Sequence, residues 1–197
     1  MPRQKVKTCF LLAASAAFAW LMPAASVCAE EVDKAKALKV KAAYLYNFAK
    51  FVEWPDNAFE NEKAPLVIGV LGDDPFGRIL DNTAKDKHVA EHPVKIRRFR
   101  WNKQEDRAGL KNCHILFISG SEQNRLAKIL TALKERPVLV VSDIHNFARD
   151  GGMVGFVLEK GRIAFEINRE VLEKAKLKAS SRLLKLARIV EPRRRST

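Results

Sequence analysis

Cysteine is scarce in this chain, at three residues in 197: Cys9, Cys28 and Cys113. The first two fall in an N-terminal stretch that reads as a leader. One thiol is then left, which excludes an internal disulfide framework and leaves core burial to hold the domain together. Cys113 heads the apolar run "CHILFIS", so a buried, inert thiol is expected. Negative charge is also short. Lys and Arg number 36 against 23 Asp and Glu, a net charge of +13. Histidine is limited to four residues. His88 and His92 are four apart, but Pro93 argues against a shared helix, and no metal site is expected. A G-x-S-x-G nucleophile elbow is missing. "GDDPFGRI" has phosphate-loop glycine spacing, but Arg78 and Ile79 stand where a lysine and a hydroxyl are needed, and Asp73 and Asp74 repel phosphate. Ser142, Asp143 and His145 are sequence neighbours, whereas triads come from separate segments. The chain has no internal repeat and no low-complexity linker. These absences argue against an enzyme and for a protein that acts by binding.

What is present begins with Arg3, Lys5 and Lys7, an uncharged apolar run from Phe10 to Ala25, and Val27 and Ala29 at small-residue cleavage positions. This pattern is that of a secretory signal peptide spanning residues 1–29. The run is short for a bilayer span. Val27 is too large for the residue before an acylated Cys28. Removing the leader takes away three basic residues and no acidic ones, lowering the charge from +13 to +10. An exported basic chain rarely meets nucleic acid, so acidic protein surfaces, anionic head groups and small anions are the fitting partners. The remainder suits one domain, residues 30–192, followed by a disordered basic tail over 193–197.

Along that domain, helix and strand signals alternate. "KAAYLYNFAKFVEWP" raises the question of an aromatic ligand box. Ala37, Val40, Tyr44, Phe48 and Phe51 recur at helical spacing after Asp33, a candidate N-cap, and Pro55 ends the helix. "PLVIGVLG", "CHILFIS" and "PVLVVSD" are continuous apolar runs, expected as buried strands. "HPVKIRRF" is expected as a half-exposed or edge strand, and "GGMVGFVLEKGRIAFEIN" as a hairpin turning at "EKG". Asp74 is a candidate cap for the helix after the first strand, and Ser142 and Asp143 for a short helix "IHNFAR". Leu172, Ala175, Ala179, Leu183, Leu186 and Val190 predict one last helix up to Pro192, with Lys174, Lys178, Arg182, Lys185 and Arg188 as a basic stripe. The expected fold is α/β: a three-layer sandwich, a mainly parallel sheet with helices on both faces, closed by a C-terminal antiparallel hairpin.

In such a sheet, ligands sit beyond the carboxyl ends of the strands. That places Asp74, Phe76, Ser119, Ser121, Ser142, Asp143 and Phe147 on one edge as candidate residues for a small anionic or aromatic ligand. Each of the polar residues is equally a good cap, which explains its presence without a ligand. Lys178, Arg182 and Lys185, with the hairpin strand around Phe165 and Ile167, form the candidate partner surface.

"VKAAYLYNFAKFVEWP", "IGVLGDDPFG", "CHILFIS", "PVLVVSDIHNFARDGGMVGF", "RIAFEIN" and "SSRLLKLARIV", in that order, resemble the YfiR/HmsC-like family over nearly the whole mature chain. The resemblance implies a periplasmic α/β domain, often a homodimer, without cofactor. It further implies repression of a membrane-bound diguanylate cyclase through that enzyme's periplasmic sensor region, with lower cyclic-di-GMP and less biofilm. An outer-membrane lipoprotein is the implied sequestering partner. Regulated members carry paired cysteines, and this chain does not. A small-molecule binding protein feeding another membrane sensor is the alternative reading. The resemblance also places the rings of Tyr44, Phe48 and Phe51 in the core, with Trp54 half exposed.

Overall fold

The computed structural model describes residues 24–193. The chain forms two compact units, Met1–Ala35 and Lys36–Thr197. Of the first, the described residues from Ala24 to Ala35 are all helical. The expected leader therefore lies for the most part outside the described residues, as do positions 194–197 of the expected tail. Arg193, the tail's first residue, is tied down by its backbone N–H donating to the Arg149 carbonyl at 2.8 Å.

Ten strands and six α-helices are described. The strands are β1 (Val52–Glu53), β2 (Leu66–Leu71), β3 (His88–Val89), β4 (His92–Phe99), β5 (Ile115–Ile118), β6 (Leu139–Ser142), β7 (Val154–Glu159), β8 (Arg162–Asn168), β9 (Lys178–Ala179) and β10 (Arg188–Val190). The helices are α1 (Ala24–Phe51), α2 (Arg78–Ala84), α3 (Gln104–Gly109), α4 (Leu126–Ala132), α5 (Arg169–Lys174) and α6 (Ser181–Leu186).

The main sheet has the order β10-β8-β7-β6-β5-β2-β4-β3. Strands β4, β2, β5, β6 and β7 run parallel. The hairpin partner β8 is antiparallel to β7, and β10 is parallel to β8. The chain is thus an α/β sandwich with a mainly parallel sheet. The three apolar runs are buried strands because parallel strands are covered on both sides, and β2, β5 and β6 are buried along their whole length.

Register assigns the two faces. Ile68, Ile115 and Leu139 share one, and Gly69, Leu116 and Val140 the other. On the first face, Tyr44 and Phe48 of α1 meet Phe156 and Phe165 with ring centroids 5.1–6.1 Å apart. On the second, a Cβ at Gly69 would come within 2.7–2.9 Å of Cys113, Leu116 and Phe99. Only a bare backbone lets those groups fill that face.

Several expectations need correction. Helix α1 begins at Ala24 and runs through Asp33, so Asp33 is not its cap; the sequence from 24 to 51 contains no glycine or proline to interrupt it. The seam of α1 is rotated from the expected stripe. Ala42, Leu45, Phe48, Ala49 and Val52 are buried, while Val40 is 41% exposed and Tyr44 and Phe51 are half-buried. The hairpin β7–β8 forms as expected, and β10, from within the expected last helix, adds a further strand outside it. "IHNFAR" forms turns rather than a helix. Helix α2 is capped at Gly77, not at Asp74.

The expected last helix is three separate elements, α5, α6 and β10, with β9 between them. Lys176 adopts a φ of 60°, which ends α5. Ala179 then pairs with Val52, and the Ser180 hydroxyl accepts from the Leu183 N–H at 3.2 Å to start α6. Of the expected stripe, Leu172, Ala175, Leu183 and Val190 are buried, from α5 and its C-cap, α6 and β10, whereas Leu186 is 66% exposed. Their spacing imitates a helix that does not exist.

Candidate functional site

The topological switch point lies between β2 and β5, where the chain leaves β4 for the other side of β2. A crevice is expected at the carboxyl ends there, and five of the seven candidate ligand residues do converge on that edge. Their hydrogen bonds are nevertheless spent on the protein itself. Ser121 Oγ accepts from the Asp73 N–H at 2.9 Å. Ser119 Oγ accepts from the Ser121 N–H at 3.5 Å. Ser142 is fully buried; its hydroxyl donates to the Ile118 carbonyl at 2.7 Å and accepts from the Ile144 N–H at 3.1 Å. Asp143 pairs with Lys41 at 2.6 Å. Asp74 accepts from the Phe76 N–H and from Arg98 Nε, both at 2.7 Å.

The crevice is also filled. A Cβ on Gly72 would lie 2.5 Å from Ser121 Oγ and 2.8 Å from Glu122 Cγ. The 3-10 turn Gly120–Arg125 is seated on the end of β2, and Gly72, with a φ of 92°, makes room for it. Phe76 and Phe147 are core residues, at 2% and 1% exposure. Phe76 meets Phe117 edge-on at 4.8 Å. Phe147 presses against Gly152, where a Cβ would fall 2.2 Å from the ring. As ligand residues these two are corrected: the apolar volume under the loops claims their rings.

The candidate partner surface divides in the same way. Lys178, Arg182 and Lys185 are exposed. Arg182 lies over the Phe51 ring at 5.8 Å, and Lys178 stands opposite Glu53 across the β1–β9 pair. Phe165 and Ile167 are 1% and 0% exposed, so neither can meet a partner. They face α1 because the inner side of β8 is core, not rim.

Three constellations escaped the sequence reading. Arg98 bonds Asp81 through both Nη atoms at 3.0 Å as well as Asp74 through Nε, which stitches β4 to α2. The Asp81 bond chiefly raises its pKa. Glu166 is 3% exposed and accepts from Arg188 Nε at 3.0 Å, while Arg149 reaches it at 3.4 Å. His114 is 6% exposed, and its ring stacks on Phe59 at 4.1 Å; the other side of Phe59 stacks on His92 at 3.8 Å. Nδ1 of His114 accepts the Val67 N–H at 3.1 Å, so Nε2 carries the proton and donates to the Ala58 carbonyl at 3.1 Å. Burial lowers its pKa to about 4. Burial likewise pushes the Cys113 thiol up to about 12, in keeping with an inert cysteine. No cluster of three or more possible metal ligands lies among the described residues, and no helix among them is long and apolar enough to cross a membrane.

The geometry defines a class first: a doubly wound α/β domain whose switch-point crevice is plugged by its own side chains. Comparison with protein families narrows the class. The family model described as YfiR/HmsC-like matches residues 38–188, and the chain belongs to that family. The family stands for periplasmic regulators of diguanylate cyclases, not for catalysts. A search of the curated proteins found no match.

Proposed function

We propose that this protein represses a membrane-bound diguanylate cyclase by docking on that enzyme's periplasmic sensor region. Cyclic-di-GMP and biofilm formation fall as a result. The signal peptide directs the chain to the periplasm, where it works as a homodimer and is itself sequestered by an outer-membrane lipoprotein. The family carries the reading at the level of cyclase regulation. The observation that supports docking is the cationic stretch Lys178, Arg182 and Lys185, exposed on two short neighbouring elements. Such a surface suits an acidic partner and steers its approach.

Two experiments bear on this. Deleting the gene in cells that express the cognate cyclase is expected to raise cyclic-di-GMP and surface attachment; unchanged levels would refute the repressor reading. Reversing charge at Arg182 and Lys185 together is expected to weaken capture of the cyclase's periplasmic region by about tenfold at low salt. The difference should shrink as salt approaches ~0.5 M, since exposed charges are screened. Undiminished capture would move the docking surface elsewhere on the domain.

A further inference from the structure

A roomy opening lies away from the switch point. It is a cavity of about 810 Å³ between α4 and the turn that runs from Arg149 into β7. Its floor is apolar: Leu126, Leu130, Val140, Met153 and Val171. Gly151 and Gly152 form one wall. Gly151 has a φ of 104°, and a Cβ at Gly152 would strike the Phe147 ring at 2.2 Å. Both positions therefore need glycine, and the turn they make presents Met153 to the cavity. Arg193 closes the far side through its 2.8 Å backbone bond to Arg149.

The rim is cationic. Lys134, Arg149, Lys174 and Arg193 line the opening against two carboxylates, Glu135 and Asp150. Those two hold their cations loosely, Lys134–Glu135 at 3.8 Å and Arg193–Asp150 at 3.7 Å. Exposed pairs at such distances contribute little, and their cations remain available to an incoming anion. Arg149 is only loosely tied, 3.4 Å from a Glu166 that accepts chiefly from Arg188, itself also 4.0 Å from Glu159, so the Arg149 guanidinium stays open to an anion at the cavity. Lys174 is the best-paired member, at 2.5 Å from Glu170.

We propose that this cavity binds a small amphiphilic carboxylate, an alkyl or aryl acid whose apolar body covers Leu130 and Met153 and whose carboxylate lies at the Arg149–Arg193 rim. An apolar floor with a few convergent polar groups is the usual construction of a small-molecule site, and the volume falls within the usual range for one. A planar carboxylate fits the guanidinium forks at the rim. A larger head group would meet Asp150 and Glu135. This site is separate from the cationic stretch assigned to the cyclase and does not depend on that assignment.

The test uses decanoate as the probe, with decanol carrying the tail alone and acetate the charge alone, each titrated against the full chain by calorimetry and by methyl NMR. Decanoate is expected to bind at least tenfold more tightly than decanol, and acetate not measurably. The Met153 and Leu130 methyl signals should shift first. Arg193→Gln is expected to weaken decanoate about fivefold and leave decanol unchanged. Ala127 is exposed and lines the opening, so Ala127→Trp fills the cavity without disturbing the core and should abolish both. Equal affinity for decanoate and decanol would overturn the carboxylate assignment. Decanoate binding that survives Ala127→Trp in a protein with an unaltered melt would overturn the site, as would no decanoate binding at millimolar concentration.

Discussion

At the scale of single residues, His114 shows how a side chain of ambiguous meaning in sequence becomes unambiguous in place. In "NCHILFIS" it is one histidine at the head of a strand, with no partner in view. In the fold its ring accepts the Val67 N–H and so completes the start of the β2–β5 pairing. Protonating Nδ1 would abolish that acceptor and charge a buried ring. The native pKa of about 4 lies below the ~6.5 of an unfolded histidine. The unfolded chain therefore binds the extra proton between those values. The stability held above pH ~6.5 is lost as pH falls toward 4, by roughly 2–3 kcal/mol from this residue. Denaturant melts of the wild type and of His114→Gln at several pH values check this: the wild type should lose stability more steeply between pH 6.5 and 4. Equal slopes would show that His114 does not carry the effect. Phe48 gives a second residue-scale prediction. It is fully buried and meets Tyr44, Phe156 and Phe165 at 5.1–6.0 Å. Phe48→Ala is expected to cost about 3–5 kcal/mol in denaturant melts. The aromatic run over 41–55 thus gives Phe48 to the core with Tyr44 and Phe51 half-buried; helical spacing announced the helix, while the core role of its rings came with the family resemblance. The ring of Trp54, half-buried with Nε1 donating to the His114 carbonyl at 3.3 Å, needed the structure.

At the scale of elements, legibility follows burial. β2, β5 and β6 could be read directly because a strand covered on both sides has to be apolar throughout. The elements β1, β3 and β9 are two residues each, too short to carry a period. The C-terminal segment misled for the opposite reason. Its apolar residues fall at helical intervals, yet a φ of 60° at Lys176 and the Ser180 cap divide it. The candidate site was legible as a place, since the carboxyl ends of the strands could be located from sequence. That its serines and aspartates are consumed by caps and ion pairs was not, because hydrogen-bond partners such as Lys41 for Asp143 lie far away in the chain. The hairpin yields the element-scale prediction. Lys160 and Gly161 sit between β7 and β8 with φ of 48° and 74°. That is the left-handed pair a two-residue hairpin turn requires, and asparagine tolerates the first position better than lysine. Lys160→Asn is expected to stabilise the domain by about 0.5 kcal/mol, read as a rise in melting temperature of a few degrees. An unchanged or lower value would mean that the side chain of Lys160 offsets its backbone strain.

At the scale of the molecule, the boundary of the folding unit can be argued from where burial begins. The compact unit opens at Lys36, the family match at residue 38, and the first fully buried side chain of α1 among the described ones is Ala42. Residues from Asp33 to Lys36 are exposed. The seam of α1 is packed on the core from Leu38, and the described side chains just ahead of it, Asp33 to Lys36, add nothing to that core. Isolated helical turns are marginal in water and gain their stability from packing. A chain that begins at Asp33 keeps one exposed turn ahead of the seam. Its expected behaviour is one cooperative denaturant transition with a midpoint matching that of the chain from Glu30, within about 0.5 kcal/mol, the range of surface changes. The slope of the transition should also match, because it follows the area exposed on unfolding and that area resides in the sheet and its covering helices. A loss above about 2 kcal/mol would place stabilising contacts upstream of Asp33. A second transition would show that α1 and the sheet unfold apart, contrary to an aromatic cluster in which Tyr44 and Phe48 bind the helix to Phe156 and Phe165.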